Sequence, residues 1–170
     1  MAHWLLKTEP SAYSYADLER DKRTVWEGVS SAPALLHLRA VRAGDSVVVY
    51  HTGGEKSAVG LARVSRGAYP DPKLGDERRV VVDLVPVRAF ASPVPLTEFR
   101  ADAVLSGSEL VRFTRLSVLP LTAAQHERVL ELASGVQEAT RPRTSTVAPP
   151  RAAAPAAGRR GATRAKPRVS

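Results

Sequence analysis

Apolar residues in the first 135 positions fall into short runs separated by turn residues. Trp4-Leu5-Leu6-Lys7 is one, stopped by Glu9-Pro10. Ser46-Val47-Val48-Val49-Tyr50-His51 is a β-branched run that predicts a buried strand, entered through the turn Gly44-Asp45 and left through Gly53-Gly54. Ala58–Val64 predicts its partner strand, Val80–Pro86 a further strong strand, and Leu116–Leu119 another. Helical signals are fewer. Ser14 with Asp17 three residues on marks a helix start, and Pro33 suits the first turn of a helix running to Val41. Thr122-Ala123-Ala124-Gln125 forms a capping box before an inner stripe of Val129, Leu130 and Ala133, with Gly135 as the stop. Closely spaced strands with helices at the ends predict an α+β fold built on a small mixed β-barrel, not a doubly wound parallel sheet.

Beyond Gly135 the pattern changes. Residues 136–170 contain no aromatics and are dominated by Ala, Pro, Arg, Ser and Thr. Such a segment cannot bury enough apolar surface to offset its ordering entropy, so a disordered tail is expected. Charge divides at the same place. Residues 1–135 carry 17 basic and 16 acidic side chains, whereas residues 136–170 carry eight basic and one acidic, Glu138. The strongly basic character therefore belongs to the tail. The chain lacks cysteine, which excludes disulfides, thiol catalysis and thiolate zinc sites. No apolar run approaches the roughly 18 to 20 residues of a membrane span, and the N-terminal apolar stretch is too short for a secretory signal. A soluble cytoplasmic protein is expected. The absence of isoleucine and asparagine, with arginine far above lysine, points to a GC-rich bacterial genome.

Catalytic signatures are missing. His3, His37, His51 and His126 are scattered, with no metal-hydrolase or deaminase spacing, so no metal is expected. No phosphate-cradling or dinucleotide-binding glycine motif occurs, and no nucleophile elbow. The carboxylates Glu9, Glu27 and Asp83 read as turn, capping or salt-bridge residues, and Asp45 as a turn residue. What remains is a set of polar and aromatic residues at strand ends: Thr8-Glu9-Pro10, Trp26-Glu27-Gly28-Val29 and His51-Thr52. An aromatic, a hydroxyl, an imidazole and a carboxylate on one rim can hold a flat heterocycle such as a nucleobase, stacked on the ring and read at its edge.

The same residues carry a family resemblance. Trp4-Leu5-Leu6-Lys7-Thr8-Glu9-Pro10 resembles the W-L-[LM]-K-[ST]-E-P opening of the EVE domain family, and Trp26-Glu27-Gly28-Val29 its W-[DE]-G-V motif. Leu38-Arg39, Gly44-Asp45 and Val49-Tyr50-His51-Thr52 follow in register. Ala68-Tyr69-Pro70-Asp71-Pro72, Leu110-Val111-Arg112 and Arg115-Leu116-Ser117-Val118 complete the series, which reaches about Leu132. Two stretches depart from it. Ser30–Leu36 lacks the family's Arg-Asn-Tyr element, and Arg79 stands where a tryptophan is common.

The resemblance implies a PUA-like pseudo-barrel over residues 1–135, related to the YTH domains that read methylated adenine in RNA. It also implies a non-enzymatic module, without cofactor, that binds DNA or RNA carrying a modified base, chiefly a modified cytosine in DNA. The expected ligand-binding set is Lys7, Thr8, Glu9, Pro10, Trp26, Gly28, Val29, His51, Thr52 and Arg115. Trp26 is expected to stack on the base, and Trp4 to fill the core. Thr8 and Glu9 either contact the ligand or merely end a strand, and His51 is either a pocket donor or a structural histidine. Arg115 either anchors a phosphate or pairs with a surface acid. A monomer is expected, with the tail adding phosphate contacts. The alternatives are an enzyme or accessory subunit acting on modified nucleotides or RNA, and a small-molecule or protein-binding scaffold.

Overall fold

The β-branched run Ser46–His51 becomes the centre of the sheet and is buried at every position, as a continuous apolar strand requires when both of its faces are covered. The structure is a computed structural model that describes residues 1–135; the expectations for the tail lie outside the described residues. Strands β1 (His3–Thr8), β2 (Thr24–Trp26), β3 (Ser46–His51), β4 (Ser57–Asp71), β5 (Asp76–Pro95) and β6 (Val118–Leu121) form one sheet in the order β2-β5-β4-β3-β1-β6. β1 and β3 pair in parallel, and every other pair is antiparallel. The helices are α1 (Tyr15–Asp21), α2 (Ala32–Arg39), α3 (Leu96–Ala101), α4 (Glu109–Arg112) and α5 (Ala123–Ser134), with a 3-10 turn at Leu105–Gly107.

Register breaks recur along the β4–β5 ladder. Each extra residue bends its strand and increases the local twist, so a long hairpin curls into a barrel wall. The edge strands β2 and β6 do not pair with each other. Instead α2 packs against both β5 and β6 and closes the seam. Trp26 from one edge and Val118 from the other accordingly share an interior cluster with Leu6, Val47, Val49, Val82, Leu84 and Leu38. The opposite face of the sheet, with Leu5, Val48, Tyr50 and Phe90, packs on Phe99, Leu105, Val129 and Leu132 from the helical segments. The neighbours Leu5 and Leu6 thus serve two cores, as the period of two along a strand dictates.

The predicted elements are present, with several differences. The strand expected over Ala58–Val64 continues to Asp71, and the one over Val80–Pro86 spans Asp76–Pro95, because bulges carry the ladder past Gly67, Pro70 and Pro86. The last strand lies slightly later than Leu116–Leu119 and includes Pro120, which its edge position tolerates. The helix at Pro33 starts at the Ser31 cap and ends at Arg39, not Val41. On α5, Leu132 joins Val129 and Ala133 in the buried stripe, while Leu130 is only half-buried. Strand β2 and the helices between Leu96 and Arg112 carry no periodic signal long enough to predict.

The largest difference is Asp45. Expected as a turn residue, it is 5% exposed and gathers three donors. The Ala2 N–H donates to Oδ1 at 3.0 Å, the Trp4 indole N–H to Oδ2 at 3.0 Å, and the Arg42 N–H to Oδ2 at 2.9 Å. Burial alone would raise its pKa, but the donated hydrogen bonds outweigh burial and hold it below the ordinary carboxylate value. α1 docks through a different contact. The Tyr15 ring lies where a Cβ on Gly60 would stand, with its hydroxyl donating to the Leu61 carbonyl at 2.6 Å. Only glycine at 60 permits that approach.

α5 meets the sheet through stacked imidazoles. The rings of His3 and His126 lie 4.2 Å apart, and His126 Nε2 is 2.8 Å from Ser46 Oγ. Burial, with the His3 ring and the Arg88 guanidinium nearby, pulls the His126 pKa from 6.5 down to about 4. The unfolded chain therefore takes up this proton at a higher pH than the folded one. The contribution to stability is full above pH 6.5, falls between 6.5 and about 4, and is constant below. Urea unfolding across that window should show stability falling by up to about 1.4 kcal/mol per pH unit. His126→Gln should flatten this limb, whereas the lowered carboxylates Asp45, Asp83 and Asp102 act only below their ordinary value of 3.8. An unchanged slope in the variant would contradict this assignment.

Candidate functional site

Three chain segments converge at one end of the barrel. The first is the exit of β1. Its Glu9 carbonyl accepts from the Ala12 and Tyr13 N–H groups at 2.9 Å, and the Thr8 hydroxyl donates to the Tyr13 carbonyl at 2.7 Å. The second is the loop after β2. Trp26 pairs with Val82, and the chain then turns at Gly28, whose φ of +86° lies in the left-handed region that favours glycine. Two cations hold this loop. The Arg79 guanidinium donates to the Val29 carbonyl at 3.2 Å, and the Lys73 ammonium pairs with Glu27 at 3.1 Å. The third segment is the loop before β6. The Lys7 N–H donates to the Ser117 carbonyl at 3.0 Å, and the Lys7 ammonium donates to the Thr114 carbonyl at 2.9 Å.

Together these segments enclose a polar cavity of about 250 Å³. Lys7, Thr8, Trp26 and Glu27 form part of its wall, Gly28 to Ser31 another, and Arg115 and Ser117 the remainder. A neighbouring cavity of about 270 Å³ shares Thr8, Trp26 and Glu27 and adds Ala12, Tyr13, Thr24 and Val25. Trp26 is 8% exposed, belongs to the interior cluster, and meets the Tyr13 ring edge-on at 6.5 Å. Burial lowers the pKa of the Lys7 ammonium. Arg115 is exposed, with no hydrogen bond or ion pair among the described residues. The cavity thus joins an aromatic wall, a hydroxyl, a carboxylate and two cations, a set suited to a flat polar heterocycle with an attached anion.

Of the expected ligand-binding residues, Lys7, Thr8, Trp26, Gly28, Val29 and Arg115 line this cavity. Glu9, Pro10, His51 and Thr52 do not line either cavity. Glu9 instead accepts from the Thr52 hydroxyl at 3.0 Å and lies against Gly53. His51 is buried. Its Nε2 accepts from the Tyr15 N–H at 3.0 Å, which leaves Nδ1 as the protonated nitrogen, 2.6 Å from the Glu55 carboxylate. Tyr13, Glu27, Ser30, Ser31 and Ser117 line the cavities without being among the expected residues. Glu27 lies in the W-E-G-V stretch and Ser117 in the Arg115–Val118 stretch, which are the available signals for them. Trp4 is 6% exposed and lies in the interior cluster.

A model of the EVE domain matches residues 2–132. The chain belongs to the EVE domain family. Human thymocyte nuclear protein 1 is 29% identical over 165 residues, which span 77% of this chain and 73% of that protein. The structure of Rpa0253 from Rhodopseudomonas palustris superimposes with a TM-score of 0.75 at 35% identity, covering 81% of this chain and 96% of that one. The human protein THYN1, solved in complex with 5-methylcytosine-containing DNA, superimposes with a TM-score of 0.71 at 28% identity and covers 78% of this chain and 98% of that one.

In this EVE domain Gly28 turns the backbone of the cavity wall in the left-handed region. A Cβ there would meet nothing within 4 Å, so the cost of Gly28→Ala is that of the left-handed backbone alone. Chemical denaturation should show a loss of about 1 kcal/mol. A loss several times larger would mean that the loop is braced more tightly than its open surroundings imply.

Proposed function

We propose that this EVE domain is a non-enzymatic DNA-binding module that takes a modified cytosine into the cavity between Trp26, Thr8 and Arg115. One observation carries the reading: Lys7 and Thr8 from the end of β1 and all four residues of the W-E-G-V stretch meet Arg115 around one polar cavity. The human relative, solved with 5-methylcytosine-containing DNA, supports a modified cytosine as the ligand class. A base stacked in a duplex cannot enter such a cavity, so it must first leave the helix. Trp26 then walls the ring. The Thr8 hydroxyl has given its hydrogen to Tyr13 and so offers a lone pair to the base edge. The Glu27 carboxylate accepts from the exocyclic amine of cytosine. Arg115, exposed and unpaired among the described residues, takes the flanking phosphate.

His51 supports the non-enzymatic part of the reading, because both of its nitrogens are engaged within the chain. The eight basic residues of 136–170 add phosphate affinity that does not depend on sequence. The module acts as a monomer in the cytoplasm.

The test is fluorescence anisotropy on matched DNA and RNA strands carrying one 5-methylcytosine or one cytosine. The methylated DNA should bind more tightly. Trp26→Phe, which keeps an aromatic ring in the wall but shortens it, should reduce that preference several-fold. Arg115→Ala should weaken the methylated and unmethylated strands alike and lower the salt slope by roughly 0.7. Equal affinity for all strands, with no effect of Trp26→Phe, would overturn the proposal.

A further inference from the structure

A second depression opens beside the base cavity. It measures about 570 Å³ and lies between α2 and the chain from α4 to β6. Its walls are chiefly apolar, from Pro33, Phe113 and Leu116, with His37 and Glu109 as polar groups. It shares Ser31 and Arg115 with the base cavity, so the two are adjacent compartments with a common rim. That rim is held in place from the base-cavity side, because the Lys7 ammonium grips the Thr114 carbonyl. Phe113, just beyond α4, is 45% exposed, although every other phenylalanine is buried.

We propose that this groove is a second nucleobase seat, which receives the base next to the everted one on the same strand. The inference rests on the base-binding reading of the neighbouring cavity. Continuity is its first support. A strand whose modified base enters one compartment and whose phosphate meets Arg115 is delivered to the mouth of the other. Charge is the second. The Glu109 carboxylate, without an ion-pair partner among the described residues, repels an anion inside the groove and accepts from an exocyclic amine. The cations stand at the margin instead, with Arg115 on the shared rim and the Arg112 guanidinium 5.3 Å from the Phe113 ring centroid. The phosphates therefore stay outside while a flat, uncharged base goes in. Shape is the third. A half-exposed aromatic ring with proline and leucine beside it offers a stacking platform, and stacking tolerates any base because every base has a π-face.

The test compares three DNA ligands by calorimetry: 5-methyldeoxycytidine monophosphate, the dinucleotide carrying one further base, and that dinucleotide with an abasic second residue. The dinucleotide should bind roughly 5- to 150-fold more tightly than the mononucleotide, in keeping with one stacked base. The abasic ligand should lose most of that gain. Phe113→Ala should abolish the gain and leave mononucleotide affinity unchanged, and Phe113→Tyr should restore it. An equal gain from the abasic ligand would show that only phosphate is recognised and would overturn the second seat while leaving the first intact. A gain insensitive to Phe113→Ala would overturn it as well. No binding of the mononucleotide by the unaltered protein, with no response at Trp26, would remove the base-binding reading itself and the second seat with it.

Discussion

The barrel depends on the parallel pairing of β1 with β3, and that pairing is pinned at its start by the Asp45 carboxylate. A parallel pair has no hairpin to set its register, so something else must. Asp45 sits one residue before β3 and binds the Ala2 N–H and the Trp4 indole N–H from the β1 side. The Ala2 carbonyl in turn accepts from Ser46 at 3.1 Å. With His3 opposite Ser46, the register runs without a break to Thr8 opposite His51. A shift of one residue would exchange the faces of Leu5 and Leu6 and empty both cores. The buried charge is tolerable because three donors replace the water it loses.

At the far end of the same two strands lies the candidate site. Lys7 and Thr8 arrive there because register delivers them, and β2 brings Trp26 in from the opposite edge of the sheet. The seam between the edges is closed by α2, not by a ladder, and an opening at a barrel rim between unpaired edges is where a ligand can enter without breaking backbone hydrogen bonds. The two tryptophans have different work despite similar burial. Trp4 spends its only polar hydrogen on Asp45, whereas Trp26 walls both cavities at the rim.

Much of this was legible in the residues. The capping boxes at Ser14 with Asp17 and at Thr122 with Gln125 form as their spacing predicts, since both partners lie within one turn. The β-branched runs become strands for a similarly local reason. Of the expected residues, Lys7, Thr8, Trp26, Gly28, Val29 and Arg115 surround one cavity, and Glu27 and Ser117 lie beside them in the same motifs, whereas Glu9, Pro10, His51 and Thr52 share motifs with them but turn to other contacts. Tyr13 and the Arg79 grip on Val29 depend on which strands become neighbours, and no local pattern encodes that. β2 is only three residues long, too short for any period to show. Asp45 misled because Gly-Asp reads as a turn, and the indole that claims its carboxylate lies 41 residues away. Arg79 also gives one departure from the family pattern a physical role: where a tryptophan is common, a guanidinium holds the loop by hydrogen bonding.

The two-tryptophan composition makes the central claim directly observable. Each indole N–H gives one resolved signal in a nitrogen–proton correlation spectrum. Titration with a short DNA strand carrying 5-methylcytosine should move or broaden the Trp26 indole signal and the Gly28 amide, while the Trp4 indole, held on Asp45, stays in place. Saturable binding that leaves Trp26 and Gly28 unmoved, or that shifts Trp4 instead, would contradict the account.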